Sequence, residues 1–554
     1  MLKTINIKCA NTGKTHKVPV GFTLEDFYDM IELNMPYGCT SAKVNNKVEG
    51  LHYTLFGDKD VEFLDVTSSS GMRTYTRSLF FVLYKAVREL YPQASLQIDT
   101  PVANGYYCRI GGLPEGVTAE VVDALRAKMK EIVDDNIPYH RITTHTEEAV
   151  RLFREHGLED KALLLEGFGE LYTTYYTLGD TVDYFYGSLL VRTGQIHLFE
   201  IQPFADGLLL RLPDPKNPRQ LLPLRSQPKM FSVFEEQHRW QKILGVSTVG
   251  EFNKVCDEGH TVDLINVSEA LQEKKISALA DRIAAEPQRR VILIAGPSSS
   301  GKTTFAKRLA VQLYACGLKP VSVELDNYFV DREKTPRDAE GNYDFEHIKA
   351  INMQLLSRQM NALLNGKEVE LPRFDFPSGR SMKSGNRLKL TPENIVIFEG
   401  IHALNPLLTK DVPDENKFKI YASALTTIML DHHNYIPTTD NRLLRRIVRD
   451  HKYRGYSAEE TIRRWPSVRA GEEKWIFPFQ EEADVMVNTA LLFELPALRR
   501  QAMRLLEQVP EHSPEYTEAY RLRKFLSYLR PIDIEPLPPT SLLREFLGGS
   551  TFQY

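Results

Sequence analysis

The residues best suited to chemistry sit in one run, Gly296-Pro297-Ser298-Ser299-Ser300-Gly301-Lys302-Thr303, with Thr304 behind it. The run fits G-x-x-x-x-G-K-[ST], the pattern of a phosphate-binding loop. Successive backbone N–H groups and a helix N-terminus make a positive cradle there. Lys302 would reach the β- and γ-phosphates of a nucleoside triphosphate, and the Thr303 hydroxyl would hold Mg²⁺. The flanks are those the loop requires. Val291-Ile292-Leu293-Ile294-Ala295 is an apolar run of strand length, and Phe305 to Leu313 has helical spacing.

Two carboxylates and an arginine stripe follow. Lys319 to Leu325 reads as a second strand, ending in Asp326-Asn327-Tyr328-Phe329. Ligand-facing side chains gather at the carboxyl ends of strands in parallel sheets. Asp326 there can take the proton of an attacking hydroxyl or help hold Mg²⁺; a plain turn residue is the other reading. Ile395 to Ile401 is a buried strand closed by Glu399, which can orient Mg²⁺ or its water, or else serve as a turn or capping acid. Arg442, Arg445, Arg446 and Arg449 fall at i, i+3, i+4 and i+7, one face of a helix. Four cations on one face repel unless an anion neutralises them. ATP phosphates under a closing lid would do so; Glu459, Glu460 or acidic tail residues are the alternative. The elements carrying these residues alternate strand and helix from 286 to about 500, which predicts an α/β domain with a parallel sheet flanked by helices.

This region resembles the uridine/cytidine kinase and phosphoribulokinase family at six ordered points beyond the phosphate loop. Asp326-Asn327-Tyr328-Phe329 fits its D-x-[FY]-[FY], Asp344-Phe345-Glu346-His347 its N-F-D-H-like stretch, and Phe374-Asp375-Phe376 its Y-D-F. Ile395 to Ile401 matches the strand ending in E-G-I, Arg442 to Asp450 the R-L-x-R-R-x-x-R-D helix, and Ala483-Asp484-Val485 the late A-D-V strand. The resemblance implies a kinase using ATP and Mg²⁺, with Asp326, Lys302, Glu399 and Arg446 as catalytic residues. It implies ATP held by the loop 296–304, Arg445 and Arg449, and Mg²⁺ at Thr303 and Glu399. It further implies an acceptor contacted by Asp326, Tyr328, Glu346, His347, Phe374, Asp375 and Arg442; His347 reads equally as structural. Two departures touch that acceptor. Pro377-Ser378-Gly379-Arg380 stand where the uridine/cytidine kinases carry a base-reading His, and Glu346 stands in place of Asp. The expected acceptor is therefore a small nucleoside-like or sugar-like molecule bearing a hydroxyl, the nucleoside 5′-hydroxyl first.

Ahead of this region the pattern changes. Residues 1–66 are β-rich: Ile5 and Ile7 alternate with polar residues, as do His16, Val18 and Val20. Thr23 and Asp26 open a capped helix, Val44 to Lys47 makes a turn, and Val61 to Leu64 is a last strand. This order resembles the TGS domain, a ubiquitin-like β-grasp module. Thr67-Ser68-Ser69-Ser70-Gly71 reads as a flexible linker, and 72–212 as an α+β domain with helices over Tyr75–Leu90 and Thr118–Asp135. With Asn104-Gly105-Tyr106-Tyr107 between them, it resembles the second domain of threonyl-tRNA synthetases. That family's metal-ligand positions carry Arg77, Phe81, Tyr186 and Leu190 here, so no metal site is expected. His140 and His145 are spaced for no common helix face. Residues 213–285 read as a connector with a helix over Val267–Ala285, and 501–554 as a helical, then Pro-rich packing arm.

Composition narrows the partners. A net charge of −4 gives no bulk attraction to nucleic acid or membrane, and no basic run argues for RNA at the N-terminal domains. Five scattered cysteines include no C-x-x-C pair, so neither a zinc site nor a disulfide framework is expected. No apolar run approaches membrane-span length and no signal-peptide core is present, so a cytoplasmic protein is expected. A homo-oligomer is compatible with all of this. Two other classes stay open. One is a GTPase-like or RNA-associated regulator, suggested by the N-terminal domains; guanine reading would need N-K-x-D, Asn416-Lys417-Phe418-Lys419 lacks the Asp, and Asp338-Ala339-Glu340-Gly341 fits D-x-x-G in a charged loop. A nucleotide sensor with reduced catalysis is the other.

Overall fold

The computed structural model describes residues 3–338, 341–375 and 377–553. Phe376 of the aromatic-Asp-aromatic stretch and Ala339-Glu340 of the D-x-x-G match lie outside them. The chain opens with β1 (Thr4–Cys9), β2 (Lys14–Pro19), α1 (Leu24–Met30), β3 (Ser41–Val44), β4 (Lys47–Glu49) and β5 (Lys59–Leu64). These strands form one mixed sheet in the order β2-β1-β5-β3-β4, with β1 and β5 parallel. Period-two alternation decides its faces: Ile5, Ile7 and Cys9 point inward and their neighbours to water. Thr23 and Asp26 cap α1 reciprocally.

The stretch 67–71 is not a flexible linker. Ser68 caps α2 (Ser69–Leu90), accepting from the Gly71 amide, so the serine run starts a helix. A Cβ at Gly71 would lie 1.9 Å from the Asp65 carbonyl oxygen, so only glycine lets the helix begin this close to the first sheet.

Next come β6 (Ser95–Val102), β7 (Gly105–Gly111), α3 (Ala119–Asp134), β8 (Tyr139–His145), α4 (Thr146–Glu155) and α5 (Glu159–Phe168). They are followed by β9 (Tyr172–Leu178), β10 (Thr181–Asp183), β11 (Glu200–Phe204) and β12 (Gly207–Arg211). Two antiparallel sheets result, β11-β12-β7-β6 and β10-β9-β8. The connecting stretch holds a ribbon of β13 (Pro213–Asp214) and β14 (Asn217–Leu221), then α6 (Pro228–Leu244), α7 (Val249–Asp257) and α8 (Thr261–Ala284).

The C-terminal region contains β15 (Val291–Ala295), α9 (Lys302–Ala315), β16 (Lys319–Glu324), α10 (Met353–Leu364), β17 (Val369–Asp375), β18 (Arg380–Leu388) and β19 (Asn394–Glu399). After them come β20 (Lys417–Ser423), α11 (Thr438–Arg454), α12 (Ala458–Trp475), β21 (Val485–Asn488), α13 (Glu494–Leu506), α14 (Tyr516–Ser527) and α15 (Arg544–Leu547). The expected parallel sheet has the order β16-β19-β15-β20-β21. All five residues of β15 are buried, as a central strand covered on both faces requires. Strands 17 and 18 form a separate ribbon, β17 packed against the core and β18 exposed.

The segments do not sit apart. One hydrophobic core runs unbroken from α2 and α5 through α7 and α8 to α11, α13 and α14. A turn of the C-terminal region, 429–435, plugs into the second domain. There the Lys161 ammonium lies 3.0 Å from Asp183 and 2.7 Å from Asp431, all three side chains wholly buried. His433 Nδ1 meets Asp183 at 2.8 Å, and the Ile98 amide donates to the His432 carbonyl. This turn leads straight into α11, so the N-terminal half holds the entry of the arginine helix.

Candidate active site

The phosphate loop joins β15 to α9. Gly296 is required by close approach: a Cβ there would stand 1.9 Å from the Ala422 carbonyl oxygen on β20. Ser299 and Gly301 turn the chain at positive φ, 59° and 78°. Lys302 folds back over the loop, donating to the Pro297 carbonyl at 3.4 Å and standing 3.9 Å from Glu399. The Thr303 hydroxyl donates to Glu399 at 3.4 Å. Glu399 ends β19 level with Ile294 and Glu324, between β15 and β16. Asp326 follows β16, close enough for its charge to act on both Glu399 and Glu346. The sheet thus brings Lys302, Thr303, Glu399 and Asp326 to one edge. A hydroxyl and a carboxylate beside a phosphate cradle are hard oxygen donors, a set that fits Mg²⁺ with its retained waters.

Burial lifts the Glu399 carboxyl to about 8; Lys302 opposes this, while Asp326, Glu324 and Glu545 add to it. Between its ordinary 4.5 and about 8 the folded chain keeps a proton that the unfolded chain has released. This group's contribution to stability therefore falls as pH rises through that window. In thermal melts from about pH 5 to about pH 8, the ligand-free wild type should lose stability relative to Glu399→Gln. Parallel curves for the two proteins would refute a protonated Glu399.

Each arginine of the stripe lies on the predicted face of α11, and each already has a carboxylate. Arg442 pairs with Glu472 and donates to the Ser298 carbonyl at 3.0 Å. Arg445 is wholly buried; it pairs with Glu494 and donates to the Ser299 carbonyl at 3.3 Å and the Thr489 carbonyl at 3.0 Å. Arg446 bonds the Ser298 hydroxyl at 2.9 Å and Asp450 at 3.2 Å, and Arg449 bonds Asp450 at 2.8 Å. Arg442 and Arg445 reach the back of the loop, whereas Arg446 and Arg449 remain partly accessible.

Two carboxylates that sequence reasoning missed occupy the cradle's own donors. The Ser298 amide donates to Glu472 at 3.1 Å. The Thr304 hydroxyl and amide donate to Glu545 at 2.7 and 3.3 Å. The arm expected only to pack therefore lies on the loop, and Leu542 leaves no room for a Cβ at Gly301. No local pattern signals this, because Glu545 stands 241 residues from Thr304. Glu545→Gln keeps the shape and removes the charge. ADP affinity should rise roughly two- to tenfold, the size of a charge effect at a helix N-terminus. Unchanged affinity by titration calorimetry would refute a competing carboxylate.

The acceptor-side candidates divide. Burial lifts Glu346 to about 7, with Arg446 opposing and Glu472, Asp326 and Asp344 reinforcing. Its Cβ sits where a side chain at Gly471 would be, 2.3 Å from the position of such a Cβ. His347 packs tilted against Trp475, ring centres 4.5 Å apart, and accepts from the Lys349 amide at 3.0 Å. Phe374 packs edge-on to Phe329, and Asp375 accepts from the Ser378 amide at the ribbon's end. Tyr328 turns into the core, its hydroxyl donating to Gln359 at 2.8 Å. His402 was not foreseen. It lies three residues past Glu399, buried beside the Glu346 and Trp475 backbone, and burial holds its pKa down to about 3.

The profile of the Phosphoribulokinase / Uridine kinase family matches residues 291–491. A uridine kinase of Halobacterium salinarum is 31% identical over 196 residues, 35% of this chain and 77% of its own length. A uridine kinase of Lactobacillus helveticus is 30% identical over 198 residues, 36% of this chain and 85% of its own. A solved structure described as a possible uridine kinase from Bacillus stearothermophilus aligns with 39% of this chain and 98% of its own, at 21% identity and a TM-score of 0.27. The family match begins at residue 291, leaving the N-terminal half outside it.

Proposed function

The chain belongs to the phosphoribulokinase/uridine kinase family through its C-terminal α/β region, and on that premise we propose that it transfers the γ-phosphoryl group of ATP to a nucleoside 5′-hydroxyl or a related small hydroxyl acceptor. One observation carries the reading: Lys302, Thr303, Glu399 and Asp326 converge at the carboxyl ends of β15, β16 and β19. Lys302 and the loop amides bind the phosphates of ATP and fix the γ-phosphorus for in-line attack. Asp326 takes the proton as the acceptor oxygen bonds to that phosphorus, and the bond to the ADP oxygen breaks. Thr303 and Glu399 would hold Mg²⁺, which supplies neutralising charge at the β- and γ-oxygens. Arg446 and Arg449 exchange Asp450 for the transferring group; Arg442 and Arg445 are positioning residues that hold the Ser298 and Ser299 carbonyls. Glu346, His347, His402 and Trp475 form the wall against which the acceptor is read.

A second reading has its own support. Carboxylates already sit on the Ser298 and Thr304 amides, as a nucleotide sensor with a self-occupied cradle would have them. The first sheet and the region after it read as TGS-like and tRNA-synthetase-like docking modules, with the protein cytoplasmic. Among the described residues no helix is long and apolar enough to cross a membrane. The deciding experiment measures ADP release from ATP and Mg²⁺ with a panel of nucleosides and sugars. Release that depends on one acceptor supports the kinase. ATP binding without acceptor-dependent release across the panel favours the sensor.

A further inference from the structure

A cavity of about 320 Å³ opens far along the chain from the phosphate loop, where the first sheet, α2, β9 and α14 meet. No residue of 296–304 lines it. Its size lies at the small end of the range for small-molecule sites. Five cations face it: Arg73, Arg77, Arg141, Arg521 and Lys524. Arg73 pairs with Glu518 at 2.6 Å, and Arg521 with Glu518 and Asp440. Arg77, Arg141 and Lys524 form no ion pair among the described residues. Glu170 is the acid on the lining, and Glu49 stands near Lys524.

Arg77 is held rather than loose. Its Nε and Nη2 donate to the Ser188 carbonyl at 3.1 and 3.0 Å. The guanidinium lies 5.9 Å from the Tyr186 ring centre, and a Cβ at Gly187 would come within 2.5 Å of its Cζ. Nη1 forms no hydrogen bond among the described residues. Desolvation pulls the Arg77 and Lys524 pKa values down, and Arg77 pushes Lys524 further. A surplus of fixed positive charge in a partly enclosed space calls for an anion. The rim adds flat aromatic faces: Tyr172 is 56% exposed and Tyr520 37%. Every nucleobase offers a π-face to such rings, and a phosphate suits arginine.

We propose that this cavity is a mononucleotide site, with the phosphate on Arg77, Arg141 and Lys524 and the base against the exposed tyrosines. Its wiring gives it a consequence. Arg521 lines the cavity and also grips Asp440 in the first turn of α11 with two bonds of 2.6 and 2.8 Å. That helix carries Arg442 and Arg446 to the phosphate loop, so an anion here competes with Asp440 and Glu518 for Arg521.

The test uses the full chain carrying Lys302→Ala, which disables the phosphate loop and separates this site from turnover. AMP, GMP, CMP and UMP, their nucleosides and inorganic phosphate are titrated by calorimetry. At least one monophosphate should bind one to one. Its nucleoside and free phosphate should each bind at least tenfold more weakly, since each supplies half of the contacts. Arg77→Met in that background should weaken the monophosphate by roughly tenfold or more. Lys524→Met should weaken it severalfold and keeps the test readable if Arg77→Met does not fold. Absence of binding in the Lys302→Ala chain, or binding that survives both substitutions, overturns the proposal. Neither result bears on the acceptor panel, which reads turnover.

Discussion

Asp326→Asn should lower acceptor-dependent turnover by about 10²- to 10⁴-fold, the range for losing a positioned general base. The substitution keeps side-chain shape and removes the proton acceptor. ADP affinity should stay within about twofold, because among the described residues Asp326 makes no bond to the phosphate loop and the cradle amides are untouched. The pair of measurements matters more than either. A loss of turnover with normal ADP binding places Asp326 at the acceptor. A matching loss of ADP binding would place it with Glu399 at the metal. Unchanged turnover would remove it from the mechanism. A milder change is expected in the field at Glu399: Asp326 is one of the charges holding that carboxyl protonated, so its removal should lower the Glu399 pKa.

Lys161→Met should be the most damaging substitution for stability. Burial alone would lower the Lys161 pKa, but Asp183, Asp431 and Asp160 reverse this and raise it. Methionine fills a similar volume and leaves Asp183 and Asp431 buried without their cation. Breaking such a group from one side costs about 3–5 kcal/mol. The denaturant midpoint should fall accordingly, and adding Asp431→Asn should restore part of the loss by removing one uncompensated charge. A wild-type midpoint in Lys161→Met would refute the clamp. Because Asp431 lies in the turn entering α11, the damage should reach the arginine helix, and residual protein should bind ADP more weakly.

The parts legible in the sequence were those whose determinants are contiguous. The phosphate loop, the strand before it, the capping box at Thr23 and Asp26, and the four arginines on one helical face all rest on spacings of a few residues. Local backbone geometry sets such spacings, so they survive reading in one dimension. The Ser-rich stretch 67–71 was misread for the same reason. Composition alone cannot tell a linker serine from the cap of a helix, and the choice fell to α2 packing on the first sheet.

Partner choice was not legible. Periodicity put Arg442, Arg445, Arg446 and Arg449 on one face, with phosphate, or else Glu459, Glu460 or acidic tail residues, as their anions. The folded chain gives them Glu472, Glu494 and Asp450 instead, because an ion pair forms with the nearest desolvated carboxylate, whatever its place in the sequence. Glu545 on Thr304, Lys161 between two aspartates, and the cation-lined cavity under Arg77 arise in the same way. The sequence by itself determined that this protein has a phosphate cradle on a parallel sheet, since a loop, a strand and a helix are local objects. Only the tertiary structure decided which charges are already neutralised and which still seek an anion. Burial and distance between remote segments, which no local spacing encodes, set both.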